Sequence, residues 1–386
     1  MARGGGATAS DEEDAMAEKR LVVCCDGTWD KADQRCPTNV SKVALAIRPR
    51  DSAGGEQRVY YHAGVGTHWW DKWRGGAFGA GLSRNVIDAY RFLVDAYEPG
   101  DELYLFGFSR GAFTARSVAG LIRNCGVLRR ENAGRLKAAW DLYHDRVEKP
   151  DGVASTLFRR AYAHEPRIRF IGVWDTVGSL GVPWLGERRG PVQRLLNRPS
   201  GFHDVRLSSR VDGAFQALAI DEERPPYEPT LWEQQPWAGK QELRQVWFSG
   251  SHGDVGGGFP STALSDLALL WMVREARRYG LEFDTSVLDG AGPQQTAPAE
   301  SAVFRVCPDP LGHLDRTRTL AYLLLPAYHR PIGHRAGRGA EAVADSAVFR
   351  YYMKRDYDPR ELAGYLAGPR KVHIELVPWK APGDGP

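Results

Sequence analysis

Little in this sequence is extreme, and each shortage closes off a class of protein. Cysteine is scarce: 386 residues hold only Cys24, Cys25, Cys36, Cys125 and Cys307. Their odd number and the lack of C-x-x-C spacing exclude a disulfide framework and a structural zinc site, leaving reduced thiols of a cytoplasmic protein as the expectation. An excess of one charge is missing too. Lys and Arg number 51 and Asp and Glu 48, a net of +3, with no basic stripe to hold nucleic acid and no acidic tract. Long apolar runs are absent. The best candidate, around Leu320 to Ala327, falls well short of the roughly 18–20 residues that span a bilayer, so no integral membrane segment is expected. Residues 1–19 have no apolar core of a secretory signal and read as a disordered leader. No period of roughly 20–50 residues recurs, which excludes a solenoid or propeller.

What is present is ordinary globular usage, 42% hydrophobic and 26% charged, in a chain long enough to bury a substantial core. Short apolar runs stop at turn signals, as buried strands do. Arg20 to Cys25 stops at Asp26-Gly27-Thr28, Arg58 to His62 at a glycine-rich loop over 64–81, and Glu102 to Phe106 at Gly107. Arg167 to Trp174 stops at Asp175, and Gln245 to Phe248 just before His252. Helical periodicity lies between them, from Thr38 or Asn39 to about Ile47, over Asn85 to Tyr97, from Ala112 to about Asn124, within 130–165 and over Leu264 to Tyr279. Repeated strand–loop–helix units predict an α/β fold, a mostly parallel sheet with helices on both faces. The expected organisation is a catalytic domain over 20–285, with 182–240 as a cap insertion, followed by an irregular C-terminal appendage over 286–386 packed on the core. Polar residues gather where strands end, at Asp26, Ser109, Asp175 and His252. In open α/β sheets that rim is where ligands bind.

The most informative segment is Leu103-Tyr104-Leu105-Phe106-Gly107-Phe108-Ser109-Arg110-Gly111-Ala112. It carries G-x-S-x-G after an apolar strand and before a helix, the context in which a tight turn lifts a serine hydroxyl above the sheet. Side chains at Gly107 or Gly111 would collide with neighbouring elements. A serine nucleophile needs a base, and the base an orienting acid. Asp175 and His252 follow Ser109 in the order Ser, Asp, His, each beyond a later strand. Asp175 would accept the Nδ1 proton of His252, and His252 would take the proton of Ser109. The other nine histidines lack a setting like Gly250-Ser251-His252-Gly253-Asp254-Val255-Gly256-Gly257-Gly258, where small residues permit close approach. Asp254 reads as a residue that closes this turn. The N–H groups of Gly27 and Arg110 are the expected oxyanion hole. The tryptophans Trp69, Trp70, Trp73, Trp184, Trp232 and Trp237 admit two readings, packing or a hydrophobic cap over an acyl chain.

The ordered set LVVCCDGTWD, FGFSRGAFTAR, GVWDTVGS, AFQALAIDEERPPYEPTLW and VWFSGSHGDVGGG resembles the α/β-hydrolase family of uncharacterised domain 2235, related to the type VI secretion phospholipase effectors of the first lipase class. The resemblance runs from about 20 to 280. It implies ester hydrolysis without a cofactor, with phospholipid acyl esters as one substrate class, and its serine, aspartate and histidine fall on Ser109, Asp175 and His252. The family's histidine block usually has a small polar residue where this chain has Gly253.

Two other readings compete. Asp26, Asp30, Asp175 and Asp254 could hold Mg²⁺ in a metal-dependent phosphohydrolase, although Cys24 stands where such an enzyme has its first aspartate. Alternatively the scaffold binds without turnover, against which the complete triad argues. The expectation is a serine esterase or lipase with an ester or lipid substrate.

Overall fold

The structure, a computed structural model, describes residues 19–27, 36–64, 77–145, 147–177, 206–236, 238–288, 304–318, 327–333, 341–369 and 372–379. The leader up to 18, Asp30, Trp69, Trp70, Trp73, Trp184, Trp237 and the cap expectation over 182–205 lie outside the described residues.

The elements in chain order are β1 (Arg20–Cys25), α1 (Asn39–Ala46), β2 (Gln57–His62), α2 (Ala77–Ala96), β3 (Glu102–Phe108), α3 (Arg110–Cys125), β4 (Val127–Leu128), α4 (Leu136–His144), α5 (Val153–Tyr162), β5 (Ala163–His164) and β6 (Ile168–Trp174). There follow β7 (Val211–Ala219), β8 (Glu242–Phe248), α6 (His252–Gly256), α7 (Ala263–Arg278), α8 (Thr285–Leu288), β9 (Glu341–Ala344), α9 (Asp345–Met353), α10 (Arg360–Ala367) and β10 (Ile374–Glu375). Eight strands form one sheet in the order β2-β1-β3-β6-β7-β8-β9-β10, and β4 pairs with β5 apart from it. Every pairing in the large sheet is parallel.

Alternation along the strands explains the layers. Leu21, Val23, Cys25, Leu103 and Leu105 pack with Val86 and Ala89 of α2 and Ala112 and Ala115 of α3. Val22, Cys24, Tyr104, Phe106 and Phe108 face the other way, with Val40 and Val43 of α1 and Leu267 and Trp271 of α7. A parallel sheet is buried on both faces because its crossovers lie on them, which is why its strands read as near-continuous apolar runs. Phe106, Phe170 and Phe215 are each fully buried at the centre; truncating one such ring to alanine typically costs ~3–5 kcal/mol.

Three boundaries differ from the sequence reading. α2 begins at Ala77, inside the stretch read as a glycine-rich loop, because the glycines of AFGAGL weaken helix propensity without forbidding a helix that tertiary contacts stabilise. Residues 211–219, inside the range read as a cap insertion, form the central strand β7, whose two neighbours β6 and β8 supply its ladder. Within the range read as an irregular appendage, Glu341–Ala344 and Ile374–Glu375 form β9 and β10, which extend the sheet edge beyond β8. All five cysteines are free thiols. Among the described residues no helix is long and apolar enough to cross a membrane.

β1 lies between β2 and β3, so the winding direction reverses there. A crevice opens at such a switch point beyond the carboxyl ends of the strands. Cys25 pairs with Gly107 across it, which brings the residues after β1 beside the turn that carries Ser109.

Candidate active site

The turn after β3 is fixed by sterics. Ser109 adopts φ 57° and ψ −119°. It and Asp175, at φ 40°, are the non-glycine residues with positive φ among the described residues. Such conformations cost on the order of 1–3 kcal/mol and persist only where the surroundings impose them. Here the Ser109 N–H donates to Trp174 O at 3.1 Å, bridging to the end of β6. A Cβ on Gly107 would lie 2.5 Å from Gly111 O, and one on Gly111 would lie 2.0 Å from Cys25 O. The two glycines therefore let the first turn of α3 press against the ends of β1 and β3. Ser109 is the N-cap of α3 and Arg110 its first residue, so the positive end of that helix stands directly behind the serine.

Asp175 follows β6 and is wholly buried. His252 is the first residue of α6, not a loop residue, and Ser251 caps it. The imidazole Nδ1 lies 2.5 Å from Asp175 Oδ2. The His252 ring packs against Phe108, with centroids 4.6 Å apart, and takes the edge of Tyr227 at 4.9 Å. Phe108 precedes Ser109 directly, so the strand that carries the serine and the helix that carries the histidine share one contact.

The charge of this pair has a clear cause. Burial alone would push the Asp175 carboxyl up. The Arg330 guanidinium and the hydrogen bond to His252 outweigh that and hold it well below the usual carboxylate range. Arg330 is itself 1% exposed and grips Asp175 with both Nη atoms, at 2.6 Å to Oδ1 and 3.0 Å to Oδ2. Glu222, also fully buried, accepts from the His252 N–H at 3.3 Å and pairs with Arg224 at 2.8 Å. Sequence reasoning missed Arg330, Glu222 and Tyr227. Glu222 and Tyr227 lie in the block IDEERPPYEPTLW, where charged residues directly after an apolar strand were a usable signal. Arg330 had none beyond a single arginine before Pro331.

The supporting residues sort as follows. Asp254 closes the capping box of α6: its Oδ2 accepts from Ser251 N and Oγ, both at 2.9 Å, and from Asp315 N at 3.1 Å. Asp26 is buried and accepts from Thr38 Oγ1 at 2.6 Å and Tyr61 Oη at 2.7 Å. The Gly27 N–H, expected as an oxyanion donor, donates to Asp26 Oδ1 at 2.7 Å. Trp232 is 4% exposed, and the Arg116 guanidinium lies 4.4 Å over its ring, which is packing and not a cap. The carboxylates expected of a metal site do not gather: Asp175 is held by Arg330 and His252 while Asp26 and Asp254 serve separate turns. Among the described residues no group of three metal-ligating side chains converges.

The region that carries this geometry matches a known family. The description "T6SS, Phospholipase effector Tle1-like, catalytic domain" fits residues 19–275, well over half of the chain. The chain belongs to that family. The Tle1-like domain thus takes in β1 to β8 and α6, with Ser109, Asp175 and His252, and it ends before Arg330. The chain is also 30% identical over 254 residues to an uncharacterized protein of Saccharomyces cerevisiae, YEL023C, which covers 59% of this chain and 36% of that protein. An uncharacterized protein from Pseudomonas aeruginosa of known crystal structure is similar over 70% of this chain and 47% of its own, at 16% identity and a TM-score of 0.40. The chain thus spans about a third of the yeast protein and about half of the bacterial one.

Proposed function

We propose that this Tle1-like domain is a serine hydrolase that cleaves carboxylic esters, phospholipid acyl esters among them, through an acyl-enzyme at Ser109. The observation that carries the reading is the buried 2.5 Å contact between His252 Nδ1 and Asp175 Oδ2 beside a strained strand-to-helix serine turn. Family membership supports a lipolytic substrate.

In this mechanism Asp175 keeps the Nδ1 proton on the imidazole and leaves Nε2 as the base. Nε2 takes the Ser109 hydroxyl proton as Oγ attacks the ester carbonyl. The tetrahedral oxyanion accepts from the Arg110 N–H at the head of α3, where the helix dipole favours negative charge. Collapse expels the alcohol, or the lysolipid from a phospholipid, with the proton returned by His252. Water then repeats the sequence on the acyl-enzyme, releasing the acid and restoring Ser109. Atoms and charge balance without a cofactor.

A fluorophosphonate probe on the purified full chain tests the reading. Covalent labelling that disappears in Ser109→Ala and falls sharply in His252→Ala is expected, with turnover of a short p-nitrophenyl ester falling by several orders of magnitude. Folded wild-type protein that takes no label, or variants that keep near-normal rates, overturn it. Comparing short esters with phosphatidylethanolamine vesicles then separates a general esterase from a phospholipase.

A further inference from the structure

Arg330 lies outside the stretch that the family description covers, yet both of its Nη atoms donate to the acid of the proposed triad. A buried carboxylate must be both anionic and oriented to serve a histidine, and low dielectric opposes the first. Among the described residues Asp175 receives one backbone donor at its carboxylate, from Ala219 N at 3.2 Å. Besides His252, the Arg330 fork supplies two more donors, one to each carboxylate oxygen. Its Nη1 also donates to Ala219 O at 2.8 Å and its Nη2 to Tyr227 O at 2.5 Å. The guanidinium is thus tied through one nitrogen to the end of β7 and through the other to the turn at Tyr227, which fixes the plane in which it meets the carboxylate. A bidentate arginine gives this geometric control where a lysine gives only a point charge.

The segment that carries Arg330 is anchored in turn. Tyr328 N donates to Glu223 O at 2.9 Å, next to Glu222, and Ile332 is buried in the core. Gly333 N donates to Glu341 Oε2 at 3.0 Å, and the same oxygen accepts from Trp247 Nε1 at 3.1 Å. Glu341 opens β9 and Trp247 lies in β8. Through them the late strands of the sheet hold the arginine against a carboxylate more than 150 residues earlier in the chain.

We propose that Arg330 is a positioning residue of the hydrolytic site: it fixes the plane and charge of Asp175 so that Oδ2 meets His252 Nδ1, which makes the C-terminal stretch part of the active site. This rests on the serine hydrolase reading. Arg330 touches no reacting atom and acts through Asp175 alone.

The test uses the full chain with Arg330→Lys, Arg330→Gln, Asp175→Asn, the Arg330→Lys/Asp175→Asn double variant and Ser109→Ala. Turnover of p-nitrophenyl butyrate and the rate of fluorophosphonate labelling are read, and circular dichroism checks the fold. Arg330→Lys keeps a buried cation and is expected to fold, with kcat lowered roughly 10- to 100-fold and KM within about 3-fold of wild type, as misplacement of a catalytic group predicts. In the Asp175→Asn background the same change is expected to lower kcat by less than about 3-fold, since the group it positions is gone. Arg330→Gln is expected to be worse than Lys; should it not fold, the Lys variant decides on the same readouts. A folded Arg330→Lys with wild-type kcat and labelling overturns the proposal, as does a loss that persists in full on top of Asp175→Asn. If Ser109→Ala retains activity, it is the hydrolase reading that fails, whatever the arginine variants do.

Discussion

The rings of Phe108 and His252 stand 4.6 Å apart at 33°, and this contact joins the two halves of the candidate site. Phe108 is the last residue of the strand before the serine turn, and His252 the first of the helix that supplies the imidazole. The same phenyl ring fills the space where Gly256 has no side chain: a Cβ there would come within 2.0 Å of Phe108 Cε2. Gly256→Ala is therefore expected to push the ring or α6 aside, because the two cannot share that volume. Ester turnover is expected to fall by at least about 10-fold while circular dichroism stays near wild type. Phe108→Leu in the Gly256→Ala background relieves the contact, so the double variant is expected to exceed Gly256→Ala in kcat/KM. A Gly256→Ala enzyme with unchanged kcat/KM would show that the contact does not set the imidazole.

Gly111 presents a harder clash. An added Cβ would lie 2.0 Å from Cys25 O and 2.5 Å from Asp26 O, both backbone atoms at the end of β1. Neither can rotate away as a side chain could. Gly111→Ala is expected to cost about 3 kcal/mol or more, above the usual range for overpacking. The urea midpoint reads this directly, and a shift within 0.5 kcal/mol of wild type would contradict the packing described for the turn.

Much of this site could be read from residue order because its parts lie at ends of elements with strong local signals. Apolar strand, glycine turn and helix identify Ser109 without tertiary information. Asp175 and His252 follow from the same edge rule. What stayed hidden depends on distant partners. β7, VDGAFQALA, has one β-branched residue and three alanines, so its strand state comes from pairing with β6 and β8. β9 is four residues long, too short for any periodicity. Arg330 meets Asp175 only through the folded C-terminal stretch. The Asp26 side chain turns back onto the Gly27 N–H, a choice that the sequence Asp-Gly permits but does not dictate.

Lys42 and Asp266 form an ion pair with both side chains fully buried, Nζ to Oδ1 at 2.6 Å. Asp266 Oδ2 also accepts from Thr262 Oγ1 at 2.8 Å and Cys307 N at 2.9 Å. Removing the cation alone strands a charge, so Lys42→Met is expected to destabilise by about 3–5 kcal/mol. Asp266→Asn in the Lys42→Met background removes the stranded charge and keeps an acceptor for the Cys307 N–H. The double variant is therefore expected to be more stable than Lys42→Met alone in urea. The opposite order would mean that the pair's worth lies in the carboxylate's other bonds.

Stability should also carry a pH signature from Asp254. Burial pushes its carboxyl up to about 6 from an ordinary 3.8, against hydrogen bonds from Ser251 that pull it down, with the nearby Asp315 charge adding to the rise. Because the folded value exceeds the unfolded one, the native state binds more protons between about pH 4 and 6. Stability from this group therefore falls as pH rises through that window and is flat above it. Asp221, pushed to about 6 mainly by burial, acts in the same sense. Asp175 does the reverse: its carboxyl is held low, so its contribution is complete above about pH 5 and is lost progressively as pH falls through the ordinary carboxylate value and below. Its slope has the opposite sign, is confined to the acid end of the window and is common to wild type and the Asp254 variant. Asp254→Asn abolishes one ionisation while keeping an acceptor for the Ser251 N–H. Relative to wild type, the variant is expected to gain stability as pH rises from 4 to 6, by at most about 2–3 kcal/mol, and to hold that gain constant to pH 8. Urea unfolding at unit pH steps measures the difference. A gap between the two proteins that stays level from pH 4 to 8 would mean that Asp254 ionises in the folded state as it does in the unfolded chain.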